Sequence, residues 1–329
     1  MGPGPARDDE KESHADMFQI LVGTQIPFMK YRRYWYGFSL AVMLVGLVGL
    51  AVHGGLRMGV DFTGGRLIEL RFNQRISAED LRHGVDDVGI RGAEVQESGT
   101  TGMDFMIRLP AETEKIATDK GPTQALLERL QQQKPGLVGE LLREEVVGPK
   151  VGKELRGKAT LAVLLALVGI LLYVAYRYEF TYALGGVVAL AHDVIVALLM
   201  LALFHKEITI QIIAALLTIA GYSINDTVVV FDRIREQSRV GGKRTLEETI
   251  NAAVNATLSR TLMTTATVLI TVAALFWLGG EVIHDFAFCM FIGVGFGTYS
   301  SVYVASALAL ELGNNRDRRA RFMATAAKA

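Results

Sequence analysis

The sequence predicts an all-α bundle of six membrane-spanning helices with one small external α+β domain between the first and second spans. Three observations predict it: six long apolar runs, Lys and Arg confined to alternate short loops, and one polar insert of about 100 residues with mixed strand and helix patterns. Half of the 329 residues are hydrophobic and the mean hydropathy is +0.30. A chain this apolar cannot be an ordinary soluble protein, so its 21% of charged residues must gather in loops and in the insert. A formal net charge of zero argues against nucleic-acid binding, which needs a basic surface.

In chain order, residues 1–33 form a polar segment expected on the cytoplasmic side. The stretch through Asp16 has mixed charge, and no small-residue cleavage site follows a short apolar core, so the first apolar run is expected to be retained rather than cleaved as a signal. The spans are expected at 36–53, 159–176, 182–204, 208–231, 258–278 and 286–310, each about the 20 residues that cross the hydrocarbon. Lys30, Arg32 and Arg33 with Tyr34-Trp35-Tyr36 supply a basic anchor and an aromatic belt at the start of the first span (34–53 with its flank).

Orientation follows from the short loops. Lys30, Arg32, Arg33, Arg177, Arg233, Arg235, Arg239, Lys243, Arg244 and the basic tail within 313–329 fall on one side. Only Lys206, beside Glu207, Glu281 and Asp285, falls on the other. By the positive-inside rule both termini are cytoplasmic, the insert at 54–156 is external, and the remaining five spans occupy 157–312 with a cytoplasmic loop at 232–256. Thr245 and Glu248 form a capping box in that loop, expected to open an amphipathic helix lying on the membrane surface.

Within the insert, 66–72 alternates as a strand, and 77–88 reads as a helix opened by Ser77 with Asp80 three residues on. Strands are expected at 93–97 and 104–109 around a turn at 98–102, then a helix at 122–133 with Pro122 in its first turn, then a strand at 140–147. The order β-α-β-β-α-β is that of a ferredoxin-like sandwich. The acidic pairs Asp86–Asp87 and Glu144–Glu145 read as solvated surface rather than catalytic carboxylates. No nucleophile–base pair, metal-ligand cluster or nucleotide-binding glycine loop is recognisable, so the chain is not expected to be an enzyme. Cys289, the one cysteine, reads as a small packing residue.

The informative residues are charged groups inside spans, where a central Asp or Arg costs about 2.5–3.5 kcal/mol on insertion scales. Asp226 lies in the fourth span, about 9 Å from its cytoplasmic end at 1.5 Å per residue. Gln211, Thr218, Tyr222 and Asp226 recur at helical spacing, and Asn225 adjoins them. Arg260 lies at comparable depth in the fifth span, followed at helical spacing by Thr264, Thr267 and Thr271. An Asp226–Arg260 proton relay, a static buried ion pair, and an Arg260 that snorkels to the interface all fit these residues. The regular hydroxyls favour the relay, because a proton path needs exchangeable hydrogen-bonding groups.

Asp193 follows His192 in the third span, among the small residues Gly185 and Ala189. It is expected to hydrogen-bond a closely packed helix, with proton transfer as the second reading, and His192 to be an interhelical donor. Gly293, Gly295, Gly297 and Ser301 mark close packing of the last span.

Four runs together resemble the SecF family of protein-export membrane proteins, within the resistance-nodulation-division (RND) superfamily. Gly59-Val60-Asp61-Phe62-Thr63-Gly64-Gly65 matches its signature at Phe62, Gly64 and Gly65. Ala191-His192-Asp193-Val194 is similar to its third-span motif, Tyr222 to Glu236 to its fourth-span motif, and Leu258-Ser259-Arg260-Thr261-Leu262 to the start of its fifth span. The resemblance covers about residues 30 to 312. It implies an RND-type half that works with SecD beside the SecYEG channel, with YajC as a further companion and unfolded preprotein as cargo. It also implies an inner-membrane location among membrane lipids and proton-driven translocation with no resident cofactor, the coupling ion being H+. Finally, it implies that Asp226 and Arg260 belong to the proton pathway, with Asp193, Tyr222, Asn225, Thr264 and Thr267 as secondary polar groups. A half-size proton-coupled exporter of small molecules and a non-energised structural factor of the translocon are the rival expectations.

Overall fold

The computed structural model describes residues 23–90, 92–98, 101–111, 121–178, 180–239 and 244–314. The tip of the expected turn (Gly99, Thr100), Lys243 and the tail beyond residue 314 lie outside the described residues.

A short 3-10 turn, Phe28–Tyr31, leads into helix α1 (Arg32–Val52). A two-residue strand β1 (Arg57–Met58) and a single helical turn α2 (Val60–Thr63) then open the external domain. It continues through β2 (Gly65–Phe72), α3 (Ala78–Asp87), β3 (Glu94–Ser98), β4 (Asp104–Leu109), α4 (Gly121–Gln133) and β5 (Gly139–Val147). The remaining elements are α5 (Pro149–Arg177), α6 (Phe180–Leu203), β6 (Glu207–Ile208), α7 (Ile210–Arg239), α8 (Leu246–Leu278) and α9 (Gly280–Ser300). Helix α9 passes into a π-helical turn, Ser301–Ala305, and the last span as a whole runs Ile283–Asn314. Six helices among the described residues are long and apolar enough to cross a membrane.

The external sheet has strand order β3-β4-β2-β5, every pair antiparallel, which is the ferredoxin-like arrangement expected from the sequence. Alternation explains its core. Ile68, Leu70 and Phe72 of β2 and Phe105, Ile107 and Leu109 of β4 are buried with Leu81 and Val85 of α3 and Leu126 and Leu130 of α4. Ser77 caps α3 by accepting from the Asp80 amide at 3.1 Å. The acidic pairs are structural: Asp87 accepts from Arg129 and Gln133, Glu144 from Arg66 and Thr123, and Glu145 from Arg143.

The domain is rooted in the bundle at the first turn of α7. Strand β1 pairs in parallel with β6, and Arg57 and Arg108 both engage Glu207. Asp61 Oδ2 accepts the Ile210 amide at 2.9 Å, capping the first turn of α7 with a carboxylate where the helix dipole favours it.

One expectation about the loops is corrected. The stretch opened by Thr245 is no separate surface helix but the first turns of α8, which runs unbroken for 33 residues. Both halves of the capping box form, at 2.8 and 3.2 Å. The helix continues because Thr249, Ile250, Ala253 and Val254 are buried, packed among residues that include Phe28 and Met29. Asn255 and Asn251 of α8 also bind the backbone of the segment before α1: Asn255 receives the Ile26 amide and donates to its carbonyl, both at 2.9 Å, and Asn251 receives the Met29 amide at 3.0 Å. The expected cytoplasmic loop 232–256 is thereby largely helix, with α7 reaching Arg239.

Candidate functional site

The Phe62–Gly65 run is the hinge root of the external domain. Phe62 is buried in the bundle-side core beside Ile208 and Ile212. Gly64 has φ +73° and Gly65 φ +124°, in the region where a side chain is strained. A Cβ on Gly64 would stand 2.9 Å from Pro149 Cα, at the start of α5, and one on Gly65 would collide with the Leu109 carbonyl oxygen at the end of β4. Two glycines therefore let the start of β2, the end of β4 and the start of α5 converge. That is an architectural role, with no group able to do chemistry.

The chemistry-bearing groups lie between α6, α7, α8 and α9. Asp226 is buried on α7, and its Oδ1 accepts from Thr261 Oγ1 of α8 at 2.6 Å. Its Oδ2 is buried with no hydrogen-bond partner among the described residues. One turn outward, Tyr222 Oη and Thr265 Oγ1 are 3.0 Å apart, and Thr265 is 2.7 Å from Thr298 of α9. One turn the other way, Thr257 is buried and donates to its own helix. Thr257, Thr261 and Thr265 thus form a buried hydroxyl ladder at i, i+4, i+8, with Asp226 at its middle rung.

Arg260 does not complete this site as expected. Its side chain is exposed, and no ion pair joins it to Asp226 among the described residues. The reason is helical geometry: residues 260 and 261 are about 100° apart around α8, and Thr261 takes the inner position. Thr264, Thr267 and Thr271 share the exposed side, where each hydroxyl donates to a carbonyl of its own helix. On α7, Gln211, Thr218 and Asn225 are likewise exposed, so of the expected stripe only Tyr222 and Asp226 face the neighbouring helices.

Asp193 is fully buried and densely bonded, as its packing role requires. Its Oδ2 accepts from Ser223 of α7 at 2.5 Å and from Ser300 of α9 at 2.6 Å, and its Oδ1 lies 2.9 Å from His192 Nδ1. His192 Nε2 continues to Ser39 of α1 at 3.1 Å, and Ser39 to Tyr299 at 2.8 Å, so four helices are tied through one carboxylate. Gly297 makes room for it: a Cβ there would lie 3.3 Å from Ser223 Cβ and 3.7 Å from Asp193 Oδ2. The next residue after Ser300 turns to the other carboxylate's helix, with Ser301 Oγ 2.9 Å from Thr227 Oγ1. Ser300 and Ser301 stand at the mouth of the π-helical turn, a distortion that is often found at functional sites.

The arrangement offers two buried carboxylates, Asp193 held by the Ser223 and Ser300 hydroxyls and Asp226 by the Thr261 hydroxyl. The sequence pointed to Asp226, Tyr222 and Asp193, and to Ser301 as a packing residue, but gave Thr261, Thr265, Ser223 and Ser300 no role in the site. The 257/261/265 spacing was readable, although nothing in the sequence ranks it above the 260/264/267 spacing beside it.

Thr261→Val keeps the shape and removes the donor to a buried carboxylate, worth about 1–3 kcal/mol. We expect it to lower the stability of the folded chain by about that amount, and Thr264→Val, whose hydroxyl only meets its own helix, to change it by less than about 0.5 kcal/mol. Thermal unfolding of the two purified variants side by side checks this, and equal effects would contradict the geometry.

The chain is similar to known proteins over most of its length. The family model described as "Protein export membrane protein SecD/SecF, C-terminal" matches residues 130–315, and the "SecD/SecF GG Motif" model matches residues 50–74. A protein translocase subunit SecF of Thermodesulfovibrio yellowstonii is 41% identical over 303 residues, covering 91% of this chain and 98% of that one. The SecF of Vibrio alginolyticus is 41% identical over 92% of this chain and 94% of its own, and that of Escherichia coli O157:H7 is 38% identical over 88% of each. Among solved structures, the translocon-associated membrane protein SecDF of Thermus thermophilus superposes with a TM-score of 0.79 at 38% identity. The match covers 90% of this chain but 40% of the SecDF chain. A SecDF structure in a super-membrane-facing form superposes at 0.65.

Proposed function

The chain belongs to the SecF family of protein translocase subunits and is a multi-pass membrane protein, and on that premise we propose that it couples proton movement through Asp226 to preprotein export. The carrying observation is the Asp226 carboxylate, held by Thr261 through one oxygen, while the other, buried, meets no hydrogen bond of ordinary geometry among the described residues. A proton taken up at Oδ2 removes the negative charge from the α7–α8 contact, and its release restores it. Either change alters what Thr261 and the hydroxyls around it gain from facing Asp226, so the helices have two packings to choose between. The ladder Thr257–Thr261–Thr265, with Tyr222 and Thr298, supplies exchangeable groups toward both ends of α8.

SecD supplies the other half in this reading. The outward Gln211 and Asn225 on α7 and Arg260 on α8 are polar groups that lipid would leave unsatisfied, while the hydroxyls beside them, Thr218, Thr264 and Thr267, are met by their own helices. A partner bundle covering them would desolvate Arg260 next to its own polar groups, which brings the cation into the pathway without a resting pair to Asp226. The assembly sits in the inner membrane with both termini cytoplasmic, as the placement of Lys and Arg supports. It acts on unfolded preprotein at SecYEG, with YajC as a companion, and needs no cofactor besides the proton. Motion of α7 reaches the outside through its first turn, where Asp61 and the Arg57–Glu207–Arg108 cluster bind it to the external domain.

The test is complementation in cells depleted of their own SecF. We expect the chain to purify with SecD and to restore export that rises with the proton gradient. Association with SecD and normal export at every gradient, including none, would reduce the chain to a scaffold.

A further inference from the structure

Where α5 ends and α7 emerges on the side assigned to the cytoplasm, a cavity of about 550 Å³ is lined by Arg177, Asp232, Arg235, Glu236 and Arg239. Every lining residue is charged, and the pairing among them is lopsided. Asp232 is held by Arg177 at 3.2 Å, and Glu236 is held from outside the cavity by Arg233 at 2.7 Å. Both acids are therefore satisfied within the protein. Arg235 and Arg239, one helical turn apart on α7, are exposed and make no ion pair among the described residues. Two guanidinium groups on one face, next to acids already neutralised, form an anion site rather than a salt-bridge network.

What lies beside it identifies the anion. Helix α5 buries little more than Gly152 and Val174 and turns Leu161, Leu164, Leu165, Val168, Leu171 and Leu172 outward. This apolar wall ends in Tyr173 and Tyr176, the latter 94% exposed, directly before Arg177. An aromatic belt under a basic rim is the pattern of a membrane interface, so acyl chains would run along α5 and end at the cavity. Arg177 is itself fixed, stacked 5.3 Å over the Tyr178 ring, and Tyr178 donates to the Val228 carbonyl of α7 at 3.2 Å. The groove walls are thus held together by protein contacts, and the two free arginines project from one of them.

We propose that this groove binds the phosphodiester headgroup of an anionic phospholipid, with Arg235 and Arg239 as the ligands and the exposed face of α5 as the bed for its acyl chains. The site lies on the last turns of α7, the helix that carries Asp226, so an occupied groove would brace the inner end of that helix against α5. Nothing in the proposal depends on the proton pathway. It holds whether or not Asp226 relays protons.

The experiment uses the full chain in complex with SecD, reconstituted in nanodiscs of phosphatidylglycerol or of phosphatidylcholine. Lipid carried through detergent exchange is counted by native mass spectrometry. We expect phosphatidylglycerol to be retained about tenfold or more over phosphatidylcholine, and the preference to disappear in Arg235→Gln/Arg239→Gln while persisting in the external charge control Arg71→Gln. All three positions are exposed, so the variants should fold. Equal retention of both lipids by the wild type would overturn the site, as would an undiminished preference in the double variant. Inorganic phosphate at millimolar concentration displacing the retained lipid completely would reassign the groove to a soluble anion.

Discussion

Asp226→Asn is expected to remove the gradient-dependent part of export, a fall of about a hundredfold in that component, while the variant still assembles with SecD. Asparagine matches the carboxylate in size and can still accept from Thr261, so the packing of α7 on α8 survives. What it cannot do is gain and lose a proton. A group whose whole contribution is a change of protonation state loses all of it on this substitution, and general proton-transfer effects reach about 10²–10⁴-fold. Export should therefore become flat as the gradient is varied, at the level set by the rest of the translocation machinery. The neighbouring carboxylate gives the contrast. Asp193 is bonded to Ser223, Ser300 and His192 at once, so Asp193→Asn removes the charge that two serine hydroxyls bond in a buried network and should lower the yield of folded complex first.

Gly65→Ala has the largest expected structural effect. The residue sits at φ +124°, where an L side chain is strained, and its Cβ would run into the Leu109 carbonyl, which is ladder backbone rather than a flexible side-chain tip. Strain of about 1–3 kcal/mol adds to an overpacking cost of similar size, enough to unfold a domain of this length. We expect protease digestion of membranes carrying the variant to degrade the external domain while the six-helix bundle persists. Retention of an intact domain would show that β2 can shift away from Leu109. Gly293→Leu would act in the bundle instead, because even a Cβ there meets the Ile219 side chain of α7.

The six spans and the sandwich were legible because each rests on a local period. Runs of about 20 apolar residues have one reading, and the alternation in β2 and β4 fixes which residues face α3 and α4. The length of α8 was not legible in the same way. Residues 246–257 are mixed in polarity, so hydropathy ends the span at 258, whereas burial of Ile250 and Val254 beneath Phe28 and Met29 keeps the helix going. That contact comes from a segment more than 200 residues away in the chain. The misassigned face of α8 has a related cause. Arg260 and Thr261 head two stripes of equal regularity, and a charge in a membrane draws attention to the first. Only the docking of α7 decides that Thr261 meets Asp226. Asp193 stood out as a buried charge, but its partners on α7 and α9 are 30 and 107 residues distant, and serine is too common in spans to flag them.

The absent ion pair also changes the mechanism. A resting Asp226–Arg260 bridge would have to be broken at each cycle, leaving an arginine uncompensated in the bundle. With Thr261 as the resting partner, the carboxylate can change charge against a neutral donor, while Arg260, on the exposed side of α8, would face SecD in the proposed assembly. The proposed relay and the proposed subunit contact are then about 100° apart around the same helix, on successive residues.

The most direct test is proton movement itself, measured in proteoliposomes that contain the chain with SecD, carry an imposed pH gradient and enclose a pH-sensitive dye. The account predicts that the wild-type complex dissipates the gradient, that Thr261→Val slows this about tenfold, and that Asp226→Asn reduces it to the rate of empty vesicles. Dissipation by Asp226→Asn at the wild-type rate would contradict it and leave Asp226 as a packing residue.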